Sequence, residues 1–298
     1  MKFPHQPVMV REVLYWLAPK EGDVYVDCTI GTGGHSEAIL EKARGRISLI
    51  GIDRDEETLK VAKEALKKYQ SHISLVKANF KHLPQILKEK KIREVDSILY
   101  DLGLSSFQLK SRERGFSFRG SAPLDMRVDR SQKITAAYLV NNLSAAELED
   151  IFLRLGEERW ARRVAEFVVR ERQESSLKTT WDLVEVVRKA IPAEVRKKRK
   201  IHFATKIFQA LRIKVNQELE NIKIALPLSF EWLRPGGRVC VISYHSLEDR
   251  IVKREFSEGK KNRLKILTKK VVKPSSNEIL ANPSARSARL RAAERLKN

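Results

Sequence analysis

The sequence predicts an α/β fold, a Rossmann-like parallel sheet interrupted by an inserted all-helical domain. In the first third of the chain, short β-branched runs alternate with longer segments of helical spacing, which is typical of βαβ units. After Asp101, glycine, serine and arginine dominate up to Arg130, and only helical patterns follow until strand character returns near Gly237. We therefore place one discontinuous domain at residues 1–107 and 214–298, and a substrate-recognition insertion at 108–213.

The first four strands are predicted from apolar runs separated by helical segments. Helical spacing covers residues 36–43 and 56–69. The strands are placed at residues 24–28, 47–53, 73–76 and 95–100, the last of them ending at Asp101. Four strands with helical crossovers make up a Rossmann-like half.

Three helices are predicted inside the insertion. Ser144-Ala-Ala-Glu147 is a capping box, and its helix is expected to stop near Gly156. A second helix, over residues 157–172, places four side chains on one stripe that packs on a core: Trp160, Val164, Phe167 and Val168. A third covers residues 180–191 and is ended by Pro192.

The last part of the chain is predicted to complete the sheet. The turn Arg234-Pro235-Gly236 precedes a fifth strand at residues 237–243. Residues 264–267 and 271–272 also have strand character and can pair as a closing hairpin. The tail from Pro274 onward is rich in serine, asparagine and arginine.

The composition indicates a soluble globular protein. Hydrophobic residues make up 42% of the 298, enough for an ordinary core, whereas disorder combines high net charge with low hydrophobicity. No stretch approaches the roughly 18 apolar residues of a membrane span. The N-terminal sequence Met1-Lys2-Phe3-Pro4-His5 lacks the apolar region of a secretory signal. We therefore expect a cytoplasmic protein with no membrane association.

Neither a metal site nor a redox role is expected from the cysteines and histidines. Cys28 and Cys240 each lie inside an apolar run typical of a buried strand, which favours reduced core thiols over a disulfide or a zinc site. The histidines show no metal-ligand spacing; they are His5, His35, His72, His82, His202 and His245.

A net charge of +21 makes a polyanion the expected partner, nucleic acid first and an anionic membrane surface second. The alternative is a surface charged for thermal stability. Residues 253–298 hold fourteen Lys or Arg against four Asp or Glu, so about half of the excess lies there. This concentration favours a nucleic-acid surface. The expected RNA contacts are the cluster Arg196, Lys197, Lys198, Arg199 and Lys200, and four tail residues near helical spacing, Arg286, Arg289, Arg291 and Arg295.

A glycine-rich loop follows the first strand and predicts a ligand at a helix N-terminus. Gly31-Thr32-Gly33-Gly34-His35 lets backbone approach a ligand, but Ser36 stands where a dinucleotide fingerprint needs glycine or alanine, and the Walker lysine is absent. Asp53, at the end of the second strand, can accept both hydroxyls of an adenosine ribose. Loop and acid together predict an adenosine ligand, the alternative being a tight turn with a capping or solvated aspartate. Phe80 either packs on the adenine or belongs to the core.

Asp101 is the catalytic candidate, because it ends the fourth strand at the carboxyl edge where open α/β sheets bind ligands. In methyl transfer to an exocyclic amine, acceptors that hold the N–H groups localise the nitrogen lone pair toward the donor carbon. The alternatives are that Asp101 caps its own turn or holds a cofactor. His245, after the fifth strand, is a second candidate that would orient a base or phosphate. A nucleophilic serine is not supported, since the G-x-S-x-G elbow is absent.

Eight motifs spread over nearly the whole chain carry a family resemblance. They are His5-Gln-Pro-Val-Met, Gly33-Gly34-His35, Asp101-Leu-Gly-Leu-Ser-Ser-Phe-Gln108-Leu, Arg114-Gly-Phe-Ser-Phe, Pro123-Leu-Asp-Met-Arg, Phe203-Ala-Thr-Lys-Ile-Phe-Gln-Ala-Leu-Arg-Ile, Ser243-Tyr-His-Ser-Leu-Glu-Asp-Arg-Ile-Val-Lys and Asn282-Pro-Ser-Ala-Arg-Ser-Ala-Arg-Leu-Arg-Ala-Ala-Glu-Arg. In these motifs the chain resembles the bacterial RsmH (MraW) family of S-adenosylmethionine-dependent ribosomal RNA methyltransferases.

The resemblance implies a class I methyltransferase fold, S-adenosylmethionine as cofactor, and methylation of N-4 of a cytidine in the decoding centre (P site) of 16S rRNA. The implied partner is the 16S rRNA of the small ribosomal subunit, and a homodimer is left open. The implied cofactor-binding positions are Gly33, Gly34, His35, Asp53, Phe80, Asp101 and Gln108.

The segment after the fourth strand departs from many amino-methyltransferases, which carry two prolines and an aromatic residue there. Asp101-Leu-Gly-Leu has neither, so no residue is assigned to stack on the target base. Phe107, Phe116 and Phe118 are candidates, with a core role as the alternative for each. Two other hypotheses stay open: a nucleic-acid-binding protein whose Rossmann-like half has lost catalysis, and a nicotinamide enzyme.

Overall fold

The computed structural model describes residues 7–297 apart from 112 and 119, and only the backbone of 106, 110 and 262. The first two residues of the motif at residues 5–9, His5 and Gln6, therefore lie outside the described residues. Contacts divide the chain into two compact units, Met1–Ser105 with Leu219–Asn298, and Ser106–Glu218. The first unit holds the sheet and the second is helical, so the predicted α/β fold with a helical insertion is confirmed.

One seven-stranded sheet organises the first unit, in the order β3-β2-β1-β4-β5-β7-β6. The strands are β1 (Val24–Asp27), β2 (Ser48–Asp53), β3 (Ile73–Lys77), β4 (Val95–Asp101), β5 (Leu233–Ser243), β6 (Leu264–Ile266) and β7 (Arg289–Arg295). The first five strands run parallel to one another, and β7 is antiparallel to both β5 and β6.

Helices connect the strands of the first unit and form most of the second. In chain order they are α1 (Val10–Leu17), α2 (Gly34–Lys42), α3 (Glu56–Ala65), α4 (Leu83–Glu89), α5 (Ser106–Lys110), α6 (Ala136–Asn142), α7 (Ala145–Arg154), α8 (Ala161–Glu174), α9 (Thr180–Ala190), α10 (Ala193–Lys197), α11 (Thr205–Asn216), α12 (Glu218–Trp232), α13 (Ser246–Gly259) and α14 (Ser276–Ala281). In the described part of the chain, no helix combines the length and the hydropathy needed to cross a membrane.

Local hydrogen bonds mark where two helices of the insertion, α7 and α8, begin. Ser144 and Glu147 form the predicted capping box of α7. The predicted start of the next helix at residue 157 is wrong, because α8 begins at Ala161. Glu157 has φ +50°, and the Glu158 carboxylate accepts from the backbone N–H of Trp160 at 3.0 Å, so these residues form the turn before the helix.

Two predictions for the closing segment are wrong. Residues 264–267 and 271–272 do not pair with each other: β6 pairs with β7, and Val272 bridges Leu290. The tail arginines do not follow a helix either, since Arg289–Arg295 forms β7 between β5 and β6. The alternating residues Leu290 and Ala292 are fully buried, and that period of two is the pattern of a strand.

The core of the first unit lies around the central strands and the helices α1 and α2. Tyr25, Leu49 and Leu99 of neighbouring strands pack with Ile39 and Leu40 of α2. Cys28 and Cys240 are buried as predicted, and burial raises the pKa of both thiols. The thiols therefore act as small apolar side chains.

Candidate cofactor and active site

Three aspartates end three adjacent parallel strands at the carboxyl edge of the sheet: Asp27 on β1, Asp53 on β2 and Asp101 on β4. The chain leaves β1 toward β2 on one side, and β4 lies on the other side of β1. The strand order therefore reverses between β1 and β4. Ligands of open α/β sheets bind at such a switch point, beyond the carboxyl ends of the strands.

The glycine loop after β1 needs its glycines. Gly31 and Gly33 have φ of +53° and +91°, a region that favours glycine. A Cβ on Gly33 would lie 3.2 Å from the Leu66 side chain, so the loop is also closely packed. Gly34 opens α2, whose first backbone N–H groups point out of the helix end without intrahelical acceptors. The predicted positions Gly33 and Gly34 thus lie at the carboxyl edge of the sheet.

Asp53 is tied to this loop. One carboxylate oxygen accepts from the Gly31 N–H at 3.0 Å, and the other accepts from the Asp55 N–H at 2.9 Å. Burial raises the pKa of Asp53 to about 6 against the effect of these bonds. Since each carboxylate oxygen has two lone pairs, two acceptor positions remain for hydroxyl groups. The geometry fits the predicted ribose contact.

His35 connects the start of α1 with Asp101. Its Nε2 lies 2.7 Å from the Val8 carbonyl, and its Nδ1 lies 3.5 Å from Oδ2 of Asp101. A carbonyl oxygen only accepts, so Nε2 carries a proton and donates it to Val8. The buried imidazole is therefore engaged within the protein, and its backbone N–H in the first turn of α2 is the group available to a ligand.

Asp101 holds a buried oxygen with no hydrogen-bond partner in the described part of the chain, Oδ1. The side chain is 18% exposed, and its backbone N–H donates to the Thr29 hydroxyl at 2.6 Å. Tyr244 also lies beside it: burial, the charge of Asp101 and a hydrogen bond from the phenol to the Asp101 carboxylate raise the pKa of that phenol. A buried carboxylate oxygen without a partner is costly, and its position at the ligand-binding edge makes Asp101 a candidate for contact with a ligand.

Two residues of this site, Asp27 and Tyr244, were not singled out from the sequence. Asp27 accepts from the Ser36 hydroxyl at 2.7 Å and from the Thr29 N–H at 3.1 Å, and burial raises its pKa to about 6. Tyr244 packs on Gly103, where a Cβ would lie 2.6 Å from the ring. Asp27 could have been found by the same signal as Asp53 and Asp101, an acid at the end of an apolar strand.

His245 caps α13. Its Nδ1 lies 3.5 Å from the backbone nitrogen of Glu248, whose buried carboxylate accepts from the Tyr244 N–H at 2.8 Å. Nε2 of His245 lies 3.1 Å from Oε1 of the same carboxylate. The structure therefore gives the imidazole a positioning role for the segment after β5, and a catalytic role stays a prediction.

The predicted aromatic and amide contacts are divided between the units. Phe80 is half-buried and meets the Tyr100 ring edge-on at 5.5 Å in the first unit. Gln108 is buried on α5 of the second unit. Phe116 is buried, and Phe118 stacks on His202 at 4.5 Å, both in the second unit. Such contacts are typical of core residues.

Some of the residues predicted to contact phosphate form ion pairs or hydrogen bonds within the protein, and others are exposed. The Arg199 guanidinium forms an ion pair with Glu158, and Arg291 forms one with Asp249 at 2.6 Å. Arg289 lies 3.5 Å from the same aspartate, and Arg295 donates to the Glu231 carbonyl at 2.9 Å. The exposed ones are Lys197, Lys198, Lys200 and Arg286. Phosphate contact by any of them stays a prediction.

Comparison with known proteins gives a consistent result along the whole chain. The model of the MraW methylase family matches residues 2–296. Ribosomal RNA small subunit methyltransferase H of Halothermothrix orenii is 48% identical over 99% of this chain and 99% of its own length. The protein of that name from Thermotoga neapolitana is 50% identical over 97% of this chain and 95% of its own length.

Proposed function

Because the chain belongs to the MraW methylase family, we propose that it is a methyltransferase of small-subunit ribosomal RNA that uses S-adenosylmethionine. Its target in this proposal is N-4 of a cytidine in the decoding centre of 16S rRNA, within the small subunit in the cytoplasm. The observation that carries the proposal is the Asp101 carboxylate at the switch point of the sheet, whose side chain is 18% exposed. An acceptor held there suits an N–H donor on a substrate.

The residues around the glycine loop fit S-adenosylmethionine. Asp53 has acceptor positions left for the two ribose hydroxyls, and the first turn of α2 offers N–H groups and a positive dipole end to the carboxylate of the methionine part. Gly33 adopts the φ of +91° that this tight turn requires, a conformation that favours glycine. The cofactor supplies an electrophilic methyl group on a sulfonium.

Asp101 would act on the target amine. Its partly exposed carboxylate accepts an N–H of the exocyclic amino group, which holds the nitrogen with its lone pair directed at the methyl carbon. The C–N bond forms as the C–S bond breaks, and the amine becomes acidic once it carries the new methyl group. No strongly basic group is needed to take up its proton. His35 and Thr29 hold Asp101 in place through Oδ2 and the backbone N–H.

A methylation assay tests the proposal. The substrate is the small subunit isolated from cells that lack the modification, with radiolabelled S-adenosylmethionine, followed by mass analysis of the nucleosides. We expect label in a cytidine methylated at N-4. Binding of S-adenosylhomocysteine without methyl transfer would indicate a binding protein that has lost catalysis. Sedimentation of the purified chain tests the homodimer.

We expect Asp53→Ala to weaken binding of S-adenosylhomocysteine by about 1.5–3 kcal/mol, roughly ten- to 150-fold in Kd. The variant loses charge-assisted bonds to both ribose hydroxyls. Isothermal calorimetry measures the affinity, and RNA binding of the same variant serves as the control, since it should be unchanged. An unchanged cofactor affinity would show that Asp53 does not hold the ribose.

Cofactor binding is also expected to depend on pH. The raised pKa of Asp53, about 6, means that the carboxyl is ionised above this pH and protonated below it. The ribose hydroxyls donate to the ionised carboxylate, so the affinity for S-adenosylhomocysteine has its full value above pH 7. It falls as the pH drops through 6 and is about tenfold lower at pH 5. Calorimetry at several pH values measures this. Asp53→Asn should bind weakly at every pH; a slope that persists in this variant would assign the titration to another group, such as Asp27.

A further inference from the structure

The second unit contains a cleft of about 670 Å³ with a mostly basic lining. Arg159 and Trp160 contribute from the turn before α8, Lys198 and Lys200 from the segment after α10, and Lys206 from α11. This volume accommodates a group of nucleotide size. Clustered cations raise the local concentration of a polyanion and contact its phosphates.

The acidic residue of the lining, Glu158, is neutralised. Its two carboxylate oxygens each accept from the Arg199 guanidinium at 2.7 Å. Glu158 is 1% exposed and Arg199 is 16% exposed. The ion pair joins the turn before α8 to the segment after α10, and so holds these two walls of the cleft together. Arg199 is therefore a positioning residue, although its place in the basic cluster at residues 196–200 predicts an RNA contact.

The exposed cations of the cleft are available to bind a polyanion. In the part of the chain that the structure describes, Arg159, Lys198 and Lys200 have no ion-pair partner, whereas neighbouring Lys197 pairs with Glu194 at 3.1 Å. Lys206 donates to the Glu157 carbonyl at 2.6 Å, which leaves further donors on its ammonium group. Mutual repulsion of such cations is relieved by a bound polyanion.

Trp160 adds an aromatic surface to the cleft. It is half-buried and lines the cleft, and the Arg163 guanidinium, which is outside the lining, lies over its ring at 5.8 Å from the centroid. Proteins bind single-stranded nucleic acid by combining a basic groove with aromatic side chains on which bases stack.

We propose that this cleft binds a single-stranded segment of RNA, with Arg159, Lys198 and Lys200 on its phosphates and a base stacked against Trp160. The inference rests on the proposed function, because it takes RNA to be the substrate. It assigns the basic cluster at residues 196–200 two different tasks: Lys198 and Lys200 contact phosphate, and Arg199 holds the cleft.

Salt dependence of RNA binding tests the phosphate contacts. A short single-stranded oligoribonucleotide is titrated against wild type and Lys198→Gln/Lys200→Gln at several salt concentrations. Each lost phosphate contact lowers the slope of log affinity against log salt by about 0.7, so the double variant should bind more weakly with a slope lower by about 1.4. Both lysines are exposed, so folding is not at risk.

Lys133→Gln/Lys178→Gln is the matched control. These two lysines are exposed residues of the same unit outside the cleft, and their loss changes the net charge equally. The control should keep the wild-type slope. Equal slopes in wild type and both variants would overturn the proposal. An equal loss of RNA affinity and of slope in the cleft variant and the control variant would also overturn it, because it would show a diffuse charge effect. Equally tight binding of cytidine monophosphate would indicate a mononucleotide site and also overturn it.

Tryptophan fluorescence tests the stacked base. RNA should quench wild-type emission, and Trp160→Phe should lose that quenching while keeping most of the affinity, because phenylalanine still stacks. Trp181→Phe removes an exposed tryptophan of the same unit and should leave the quenching in place. Trp160→Ala should raise Kd for RNA about 5- to 150-fold. Unchanged quenching in Trp160→Phe would contradict base stacking in the cleft.

The two proposals fail separately. Wild type that binds the oligoribonucleotide through the cleft but does not methylate small subunits would contradict the proposed function alone. If the wild type methylates small subunits and the cleft variants bind RNA as tightly as the wild type, only the proposal that the cleft binds RNA would be contradicted.

Discussion

Asp101→Asn is expected to lower the single-turnover rate of methyl transfer about 100- to 1,000-fold at saturating cofactor. The substitution keeps the shape of the side chain but replaces an ionised acceptor by a neutral amide at Oδ1 or Oδ2, so the amine nitrogen is less well directed toward the methyl carbon. Quenched-flow measurement with radiolabelled cofactor and excess enzyme gives the rate.

Asp96→Asn is the control for this prediction. Asp96 lies on the same strand near its other end, where it accepts from the Val24 N–H at 2.7 Å, away from the carboxyl edge. This variant should keep the wild-type rate. If Asp101→Asn loses only cofactor affinity and keeps the rate at saturation, Asp101 binds the cofactor and does not act on the amine.

Glu158→Ala is expected to reduce the free energy of unfolding by about 3–5 kcal/mol, because it leaves the Arg199 guanidinium without its partner in a largely buried position. Urea denaturation followed by circular dichroism measures the loss. Glu194→Ala is the matched control. It breaks the exposed pair with Lys197 and should cost less than about 1 kcal/mol.

The pair at Glu158 also has a pH signature. Burial alone would raise the pKa of Glu158, but the hydrogen bonds from Arg199 and from the Trp160 N–H, together with the charges of Arg199 and Lys206, outweigh it, and the pKa is lowered. The pair therefore stabilises the protein above the pKa of a free glutamate, and this contribution is lost as the pH falls through the lowered value. A double variant, Glu158→Met/Arg199→Met, should recover much of the stability, because no buried charge is left unpaired. A loss as large as in Glu158→Ala would instead indicate a packing defect.

The first four strands and the ligand edge could be predicted because their signals are local. Apolar runs such as the one before Asp53 need no partner to be recognised, and the carboxyl ends of parallel strands meet at one edge whatever the details of packing. The capping box at Ser144 is likewise complete within four residues. The positions of Asp53, Asp101 and the glycine loop at this edge could be predicted for this reason.

Pairing and partners were decided only by the tertiary structure, because they join residues far apart in the chain. The tail between Arg289 and Arg295 is too short for its period to separate strand from helix, and its place between β5 and β6 made it a strand. Arg199 looked like its exposed neighbours in sequence, and only the approach of Glu158 from another segment buried it. The sequence by itself determined the parallel sheet, the glycine loop and the acids at the strand ends. Which cations are left for a phosphate, and which carboxylate oxygen is left for an amine, depends on contacts across the fold that no local pattern records.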